Sequence, residues 1–114
     1  MGRKTLETLT ESMFYALMAL LHQPRCGTEI ADFVSAITQS RVRLGPGTLY
    51  TILAKFEEEG LIRETAVEGR KRTYALTDTG LERYQVEIAR LRSCLADAAQ
   101  AEQEELPCGI LSTS

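Results

Sequence analysis

The chain has 114 residues, of which 44% are apolar and 25% are charged, and it carries a formal net charge of −3. A chain of this length forms one small domain with a modest core, so it gains stability from a partner subunit. The apolar run MFYALMALLH is too short to span a bilayer, and no secretory signal opens the sequence. These features predict a cytoplasmic protein without a membrane partner.

The negative charge lies mainly in the C-terminal third of the chain. Residues 1–76 carry ten Lys and Arg against nine Asp and Glu, whereas residues 77–114 carry three Arg against seven Asp and Glu. Because a DNA-binding face needs only a local basic patch, the negative total charge does not argue against DNA binding.

Residue types that carry catalysis or bind metals are sparse. His22 is the only histidine, and Cys26, Cys94 and Cys108 form neither a CxxC pair nor an even-numbered framework. An enzyme needs a nucleophile with a base or a set of metal ligands, and the sequence shows neither. We therefore expect no enzymatic activity, no cofactor, no metal site and no structural disulfide. Cys94 is expected to be a small buried apolar residue, and a redox role for it stays open.

The first helix is predicted over about residues 9–22. Thr8 and Glu11 stand at the spacing of a capping box, in which each side chain bonds a free backbone N–H of the first turn. The apolar arc of this helix is wide, which predicts burial on two sides, against its own core and against a second surface. The strip assigned to the second surface consists of Phe14, Met18 and Leu21.

The next segments are predicted as a helix followed by a short strand at most. The sequence QPRCG interrupts the first helix, and the second helix covers roughly residues 27–38. In SRVRLG the residues alternate, so Val42 and Leu44 are expected to point inward. The buried stripe of the second helix is predicted to be Ile30, Phe33, Val34 and Ile37.

The segment RLGPGTLYTILAKFEEEGLI predicts a third helix over residues 46–59. Pro46 suits a first turn, where its missing N–H costs nothing, and Gly45 is an acceptable cap. Gly60 is expected to end the helix in a left-handed conformation. The run 57–59 is expected to be the solvated far end of the helix. The buried face is Leu49, Ile52, Leu53 and Phe56, and the opposite face includes Gly47, Thr48, Tyr50, Thr51, Ala54 and Lys55.

Two extended runs and a long helix complete the prediction. The extended runs flank Glu68 and Gly69, which predicts a hairpin with a basic tip. Thr77 caps a helix over about residues 78–103, whose length of about 39 Å exceeds what a small domain needs for its own core. Its apolar residues are spaced 3-4-3-4-3 and form a heptad seam, which favours dimerisation over an intramolecular flap. The seam consists of Leu81, Tyr84, Ile88, Leu91, Leu95 and Ala98.

This order of elements predicts a mainly α fold with a small antiparallel β-hairpin, arranged as a winged helix-turn-helix followed by a long C-terminal dimerisation helix. The winged unit would cover residues 1–76, the dimerisation helix 77–103 and a flexible tail 104–114. The third helix would enter the DNA major groove and the hairpin would flank it. The predicted DNA-binding residues are Gly47, Thr48, Tyr50, Thr51, Lys55, Arg70, Lys71 and Arg72, and Phe14 and Met18 join the seam as dimerisation residues.

The stretches LGPGTLYTILAKFEEEGLI and EGRKRTYALTDTG resemble the core signature of PadR-like transcriptional regulators, and the resemblance covers roughly residues 8–100. It implies a dimeric winged-helix repressor of the short branch, in which a single C-terminal helix packs against the partner's helices, including its first helix. It places Thr48 and Tyr50 on the recognition helix and 70–72 on the wing. Thr28 falls where relatives commonly carry an aromatic residue.

The resemblance also implies a regulatory ligand. Some relatives bind flat hydrophobic effectors near the dimer interface, sometimes stacked on a Trp, and this chain has no Trp. The sequence thus predicts a homodimeric repressor that binds a near-palindromic operator in double-stranded DNA and is released by a small hydrophobic effector. The alternative is a winged-helix adaptor that binds proteins instead of DNA, which the acidic C-terminal third favours.

Overall fold

The structure, a computed structural model, describes residues 9–104. Within this range the chain forms four helices and three strands, and the strands build one antiparallel sheet in the order β1-β3-β2. The elements in chain order are α1 (Glu11–Met18), β1 (Arg25–Cys26), α2 (Gly27–Ile37), α3 (Pro46–Glu58), β2 (Ile62–Glu68), β3 (Lys71–Leu76) and α4 (Asp78–Gln103).

The first helix is shorter than predicted at both ends. Thr10 caps it, and the Thr10 side chain accepts a hydrogen bond from the backbone N–H of Met13 at 3.1 Å. The predicted capping residue, Thr8, lies outside the described residues. At the other end, the N–H groups of Leu20 and Leu21 bond to carbonyls three residues back. This tighter turn ends α1 at Met18, although the apolar pattern continues.

Replacing Thr10 with alanine is expected to lower the free energy of unfolding by about 1 kcal/mol, because the N–H of Met13 loses its acceptor. Chemical denaturation measures the change. Thr10→Ser retains the hydroxyl and should stay close to wild type. An equal loss in both variants would show that the methyl group of Thr10, and not the cap, matters.

The strand next to the hairpin comes from an unexpected part of the chain. Arg25 and Cys26 pair with Tyr74 and Thr73 of β3, whereas the sequence predicted only a helix break there. The prediction of a short strand in SRVRLG is wrong, because this segment forms a loop. The Thr38 side chain closes the loop by accepting a hydrogen bond from the N–H of Val42 at 3.0 Å. As predicted, Leu44 is buried and Val42 packs against the core.

Helices α2 and α3 agree with the predicted boundaries to within a residue. Ile37 was expected in the core but is 51% exposed, because α2 ends there and Thr38 occupies the buried position instead. Gly45 is the N-cap of α3, and Gly60 has a φ of +77°, as its role after the helix requires. The entire predicted face of α3 is buried in the core, with Leu49, Ile52, Leu53 and Phe56 at most 6% exposed.

The hairpin and the last helix follow the prediction. The β2–β3 hairpin, which we call the wing, turns at Gly69 and Arg70, and Gly69 has a φ of +63°. Helix α4 is capped by the Thr77 side chain, which accepts from the N–H of Gly80. Every residue of α4 from position 92 onward is exposed, so its C-terminal part extends beyond the core.

The heptad seam of α4 divides into a packed and an exposed part. The Tyr84 ring stacks on Phe14 of α1 with centroids 5.3 Å apart, so this part of the seam packs within the protomer. Leu81 is 39% and Leu95 71% exposed, and Ala98 is also exposed. Cys94 is exposed as well, contrary to the expected burial, because no element of residues 9–104 covers the end of α4.

Candidate nucleic-acid interface

A cleft of about 620 Å³ lies between the first turn of α2, the exposed face of α3 and the wing. We call it the wing cleft. It brings together Tyr50 and the three basic residues that the sequence assigned to DNA binding. It also contains five residues to which that assignment gave no role. One is Tyr74 of the wing itself, and the other four were missed because β1 and the start of α2 were not expected beside the wing. The lining residues are Cys26, Gly27, Thr28, Glu29, Tyr50, Arg70, Lys71, Arg72 and Tyr74.

The N-terminal part of α3 offers small and polar groups to solvent. Gly47, Thr48, Tyr50 and Thr51 are all exposed, while Leu49 between them is buried. A Cβ added at Gly47 would meet no heavy atom within 4 Å, so internal packing does not require this glycine. The Thr51 hydroxyl donates to the Gly47 carbonyl at 3.0 Å and retains its acceptor capacity. This surface allows close approach of another backbone.

Tyr50 connects α3 to the start of α2. Its side chain is strongly exposed, at 64%, yet one ring edge lies close to the backbone of Gly27. A Cβ added at Gly27 would lie 4.0 Å from Tyr50 Cε1 and 3.4 Å from Leu49 Cδ2. The ring therefore lies beside the first turn of α2, and Tyr50 also lines the wing cleft.

The three cations of the wing are not equivalent. Arg72 Nη1 lies 3.3 Å from Glu64 Oε2 across the hairpin, although this contact lacks hydrogen-bond geometry. Arg70 and Lys71 form no ion pair within residues 9–104. All three side chains are exposed. Among the three cations of the wing, Arg70 and Lys71 are thus the most available to an external anion.

A carboxylate lies opposite these cations at the start of α2. Glu29 accepts a hydrogen bond from the N–H of Cys26 at 2.9 Å. This backbone bond, with a further bond to the Cys26 side chain and the positive charge of Lys71, lowers the pKa of Glu29. Glu29 therefore holds negative charge at the positive end of α2, which reduces the attraction of this helix for anions.

Lys55, which the sequence assigned to DNA binding, lies outside the wing cleft. It is seven residues, or about 10 Å, further along the helix axis than Thr48. Its ammonium group lies 4.0 Å from Glu59 Oε2, one helical turn away. Glu57 and Glu58 are exposed as expected, but Glu59 is partly buried beside Lys55. A DNA role for Lys55 stays a prediction, without support from the cleft.

A second cavity of about 330 Å³ lies between α1 and α4. It combines apolar side chains with a charged pair of which Glu87 is buried and Arg90 is exposed. Glu87 is 2% exposed and forms an ion pair with Arg90, and the backbone N–H of Leu9 also bonds to it. The sequence did not single out Glu87, because it stands between seam positions of an otherwise polar helix. The lining residues are Leu9, Thr10, Glu11, Phe14, Tyr15, Glu87, Arg90 and Leu91.

Glu87→Gln is expected to lower the free energy of unfolding at neutral pH by about 1–2 kcal/mol, because Arg90 loses its charged partner. The hydrogen bond from Arg90 lowers the pKa of Glu87 in the folded state. The stabilisation is therefore present above the unfolded-state pKa of about 4.3 and is lost as the pH falls through the folded-state pKa. Urea denaturation at several pH values should show a smaller acid-induced loss in the variant.

The matched control for this measurement is Glu82→Gln, an exposed glutamate on the same helix. It removes the same charge without breaking a buried pair, so its stability is expected to follow wild type across the pH range. An equal effect of both substitutions would attribute the change to net charge instead of the Glu87–Arg90 pair.

The residues that the structure describes contain no cluster of three potential metal ligands. His22 is exposed in the loop after α1, and Cys26 is a buried free thiol. No helix between residues 9 and 104 is long and apolar enough to cross a membrane.

A family model described as "Transcriptional regulator PadR-like family" matches residues 16–86, which include the wing cleft. The chain belongs to this family. The resemblance seen in the sequence is thereby confirmed, and the protein is a PadR-like transcriptional regulator. The family is described as one of transcriptional regulators.

Solved structures confirm the PadR-like winged-helix fold. A transcriptional regulator from Clostridium thermocellum is 22% identical with a TM-score of 0.70, and the match covers 78% of this chain and 87% of that one. A PadR family transcription regulator from Clostridium difficile is 21% identical with a TM-score of 0.68, covering 80% and 97%. The mainly α fold with its hairpin and long last helix is therefore shared with PadR regulators.

A curated relative has a longer chain. A 37.1 kDa protein in transposon TN4556 of Streptomyces fradiae is 35% identical over 92 residues, which are 78% of this chain. The present chain spans about a quarter of that protein, at 26% of its length.

Proposed function

We propose that this PadR-like regulator is a cytoplasmic homodimeric repressor that binds a near-palindromic operator. Each protomer inserts the N-terminal part of α3 into a major groove and sets the wing against the adjacent backbone. The wing cleft is the observation that carries this proposal, because it combines Tyr50 of α3 with three exposed cations. Gly47, Thr48 and Thr51 are exposed on the same helix but do not line the cleft. The two half-sites then lie about one helical turn, or a multiple of it, apart.

The chemistry of the two surfaces supports different contributions to binding. Thr48, Tyr50 and Thr51 are exposed on α3, and their hydroxyls suit bonds to base edges or phosphate oxygens. Arg70 and Lys71 have no ion pair within the described range, so they suit phosphate contacts that do not depend on sequence. Thr28 also lines the cleft, and its side chain offers a further hydroxyl that suits a hydrogen bond to the DNA backbone.

The exposed part of α4 supports the dimer. Leu95 is a large apolar side chain that is 71% exposed, and it continues the seam at heptad spacing. Val86 is also 59% exposed, although it lies outside the predicted seam. A second copy that packs on α1 and on the seam of α4 would cover Leu95, whereas Val86 lies about 180° around the helix from Leu95. In that dimer Phe14 and Met18, both half-buried in the protomer, would complete the interface.

The cavity between α1 and α4 supports an effector site. Its volume of about 330 Å³ falls within the range of ligand pockets, about 300–1,000 Å³. Phe14 and Leu91 offer apolar contacts, and Arg90 offers a charged donor. A small hydrophobic effector bound there would change the packing of α4 and hence the distance between the two recognition helices. Because both half-sites must be bound together, this change in distance would release DNA.

An adaptor that binds proteins is the second candidate, and the carboxylates of the interface favour it. Glu29 lies in the wing cleft, Glu64 is paired with Arg72 and Glu59 lies beside Lys55. These charges oppose the approach of phosphate. The adaptor predicts no salt-dependent affinity for DNA.

Titration of a fluorescent DNA fragment from upstream of this protein's own gene, at several salt concentrations, tests the proposal. Tight binding that weakens steeply with salt is expected, and competition with unrelated DNA measures its specificity. If neither this fragment nor unrelated genomic DNA binds at low salt, the adaptor replaces the repressor.

A further inference from the structure

The segment that follows α3 is joined to the start of α4 by two hydrogen bonds, one from a side chain and one from the backbone. The Thr77 hydroxyl donates to the Gly60 carbonyl at 2.7 Å, and the Thr77 N–H donates to the Leu61 carbonyl at 3.0 Å. The same hydroxyl accepts from the N–H of Gly80 at 3.0 Å. One threonine thus caps α4 and attaches it to Gly60 and Leu61, which follow the C-cap of α3.

Gly80 allows this junction to close. A Cβ added at Gly80 would overlap the Leu61 carbonyl oxygen and would lie 2.8 Å from Leu76 Cδ1. The Leu76 side chain could move, but the Leu61 oxygen is held by its bond with Thr77. Leu61 is itself 3% exposed, and its N–H bonds to the Phe56 carbonyl at 2.8 Å. The first turn of α4 is therefore in van der Waals contact with the backbone that follows α3.

We propose that this junction, formed by Gly60, Leu61, Thr77 and Gly80, sets the distance and angle between the two recognition helices of the dimer and so selects the half-site spacing of the operator. The proposal rests on the proposed function, in which α3 reads DNA and α4 dimerises. Thr77 and Gly80 are positioning residues, because they act on DNA through the orientation of α3.

The length of α4 makes the spacing sensitive to this junction. The helix has 26 residues, so a tilt of about 5° at its start displaces its far end by about 3 Å. One inserted base pair separates two half-sites by about 3.4 Å and rotates them by about a tenth of a turn. A small tilt of α4 against α3 therefore produces a displacement comparable with the rise of one base pair, although not its rotation, and this is enough to disturb the preferred spacing.

The test is the selection of binding sites from a random-sequence DNA library by the full chain and its variants. Thr77→Val removes the hydroxyl at nearly constant volume, and Gly80→Ala introduces the Cβ that overlaps Leu61. Thr77→Ser retains the hydroxyl as a conservative rescue. Thr79→Val makes the same chemical change at an exposed residue of α4 and is the matched control.

Wild type, Thr77→Ser and Thr79→Val are expected to select the same half-site sequence at the same spacing. Thr77→Val and Gly80→Ala should retain the half-site sequence, but their preferred spacing should shift by at least one base pair or the preference should be lost. A uniform loss of affinity at every spacing would show a merely structural role and overturn the proposal, as would unchanged spacing. If Gly80→Ala does not fold, Thr77→Val decides the question alone.

Failure of the proposed function gives a different result. A wild-type protein that selects single half-sites, or no DNA sequence at all, would refute the dimeric operator, and the role of the junction would fail with it. Paired half-sites for wild type combined with unchanged spacing in both junction variants would refute only the inference about the junction.

Discussion

Replacing Arg70 and Lys71 together with alanine is expected to weaken DNA binding by roughly 10- to 30-fold at physiological salt and to make its salt dependence shallower by about two units of slope. Both side chains are exposed on the wing, and neither forms an ion pair within the described residues. Each cation that neutralises a phosphate releases counterions, so its removal lowers affinity without changing the preferred sequence. Fluorescence anisotropy titrations at several salt concentrations measure both quantities.

Two further variants separate the wing cleft from the general charge of the protein. Arg63→Ala removes an exposed arginine of β2 that does not line the cleft, and it should leave the affinity close to wild type. Arg72→Ala should have a smaller effect than Arg70→Ala, because Arg72 already lies beside Glu64. Equal losses for Arg63→Ala and Arg70→Ala would mean that net charge, and not the wing cleft, attracts DNA.

Local signals made most of the architecture predictable. Pro46 and Gly60 mark the ends of α3 through backbone conformations that few other residues satisfy, and both were assigned correctly. Thr77 caps α4 at the predicted residue. Helix α2 and the hairpin follow from periodicity and from the turn at Gly69. In each case the determining residues lie within a few positions of the feature.

Features that depend on distant parts of the chain were not predictable in the same way. Strand β1 has only two residues, and it exists because Arg25 and Cys26 meet β3 almost 50 positions later. The wing cleft consequently contains Thr28 and Glu29, which no local pattern associates with the wing. The seam of α4 was recognised as apolar, but periodicity alone could not show that Tyr84 would stack on α1 of its own protomer.

The roles of some charged and small residues were also not predictable from local sequence patterns. Glu87 is buried beside Arg90 at a position where a helical pattern predicts a solvated side chain. Gly80 had no signal as a turn or cap, and its importance is visible only when the Leu61 carbonyl lies against it. Leu61 and Gly80 of the α3–α4 junction were therefore found from the structure, although Gly60 and the cap at Thr77 were anticipated.

Leu95→Asp is expected to convert the proposed dimer to a monomer and to weaken binding to an operator with two half-sites by about 100-fold or more. Leu95 is 71% exposed in the protomer, so the substitution does not disturb the hydrophobic core of the single chain. In a dimer the same position would be enclosed by the partner, where an unpaired carboxylate is strongly unfavourable. Sedimentation equilibrium measures the mass, and titrations on one and two half-sites measure the loss of joint binding.

Ser93→Asp provides the matched control, because Ser93 is exposed on α4 and lies two residues, about 200° around the helix, from Leu95. It adds the same charge outside the seam, and the protein should remain dimeric with wild-type affinity. The monomeric Leu95→Asp protein should still bind a single half-site as wild type does, because α3 and the wing are unchanged. A Leu95→Asp protein that stays dimeric would place the interface elsewhere, and a monomer with undiminished affinity for the paired site would show that the operator is read by one protomer alone.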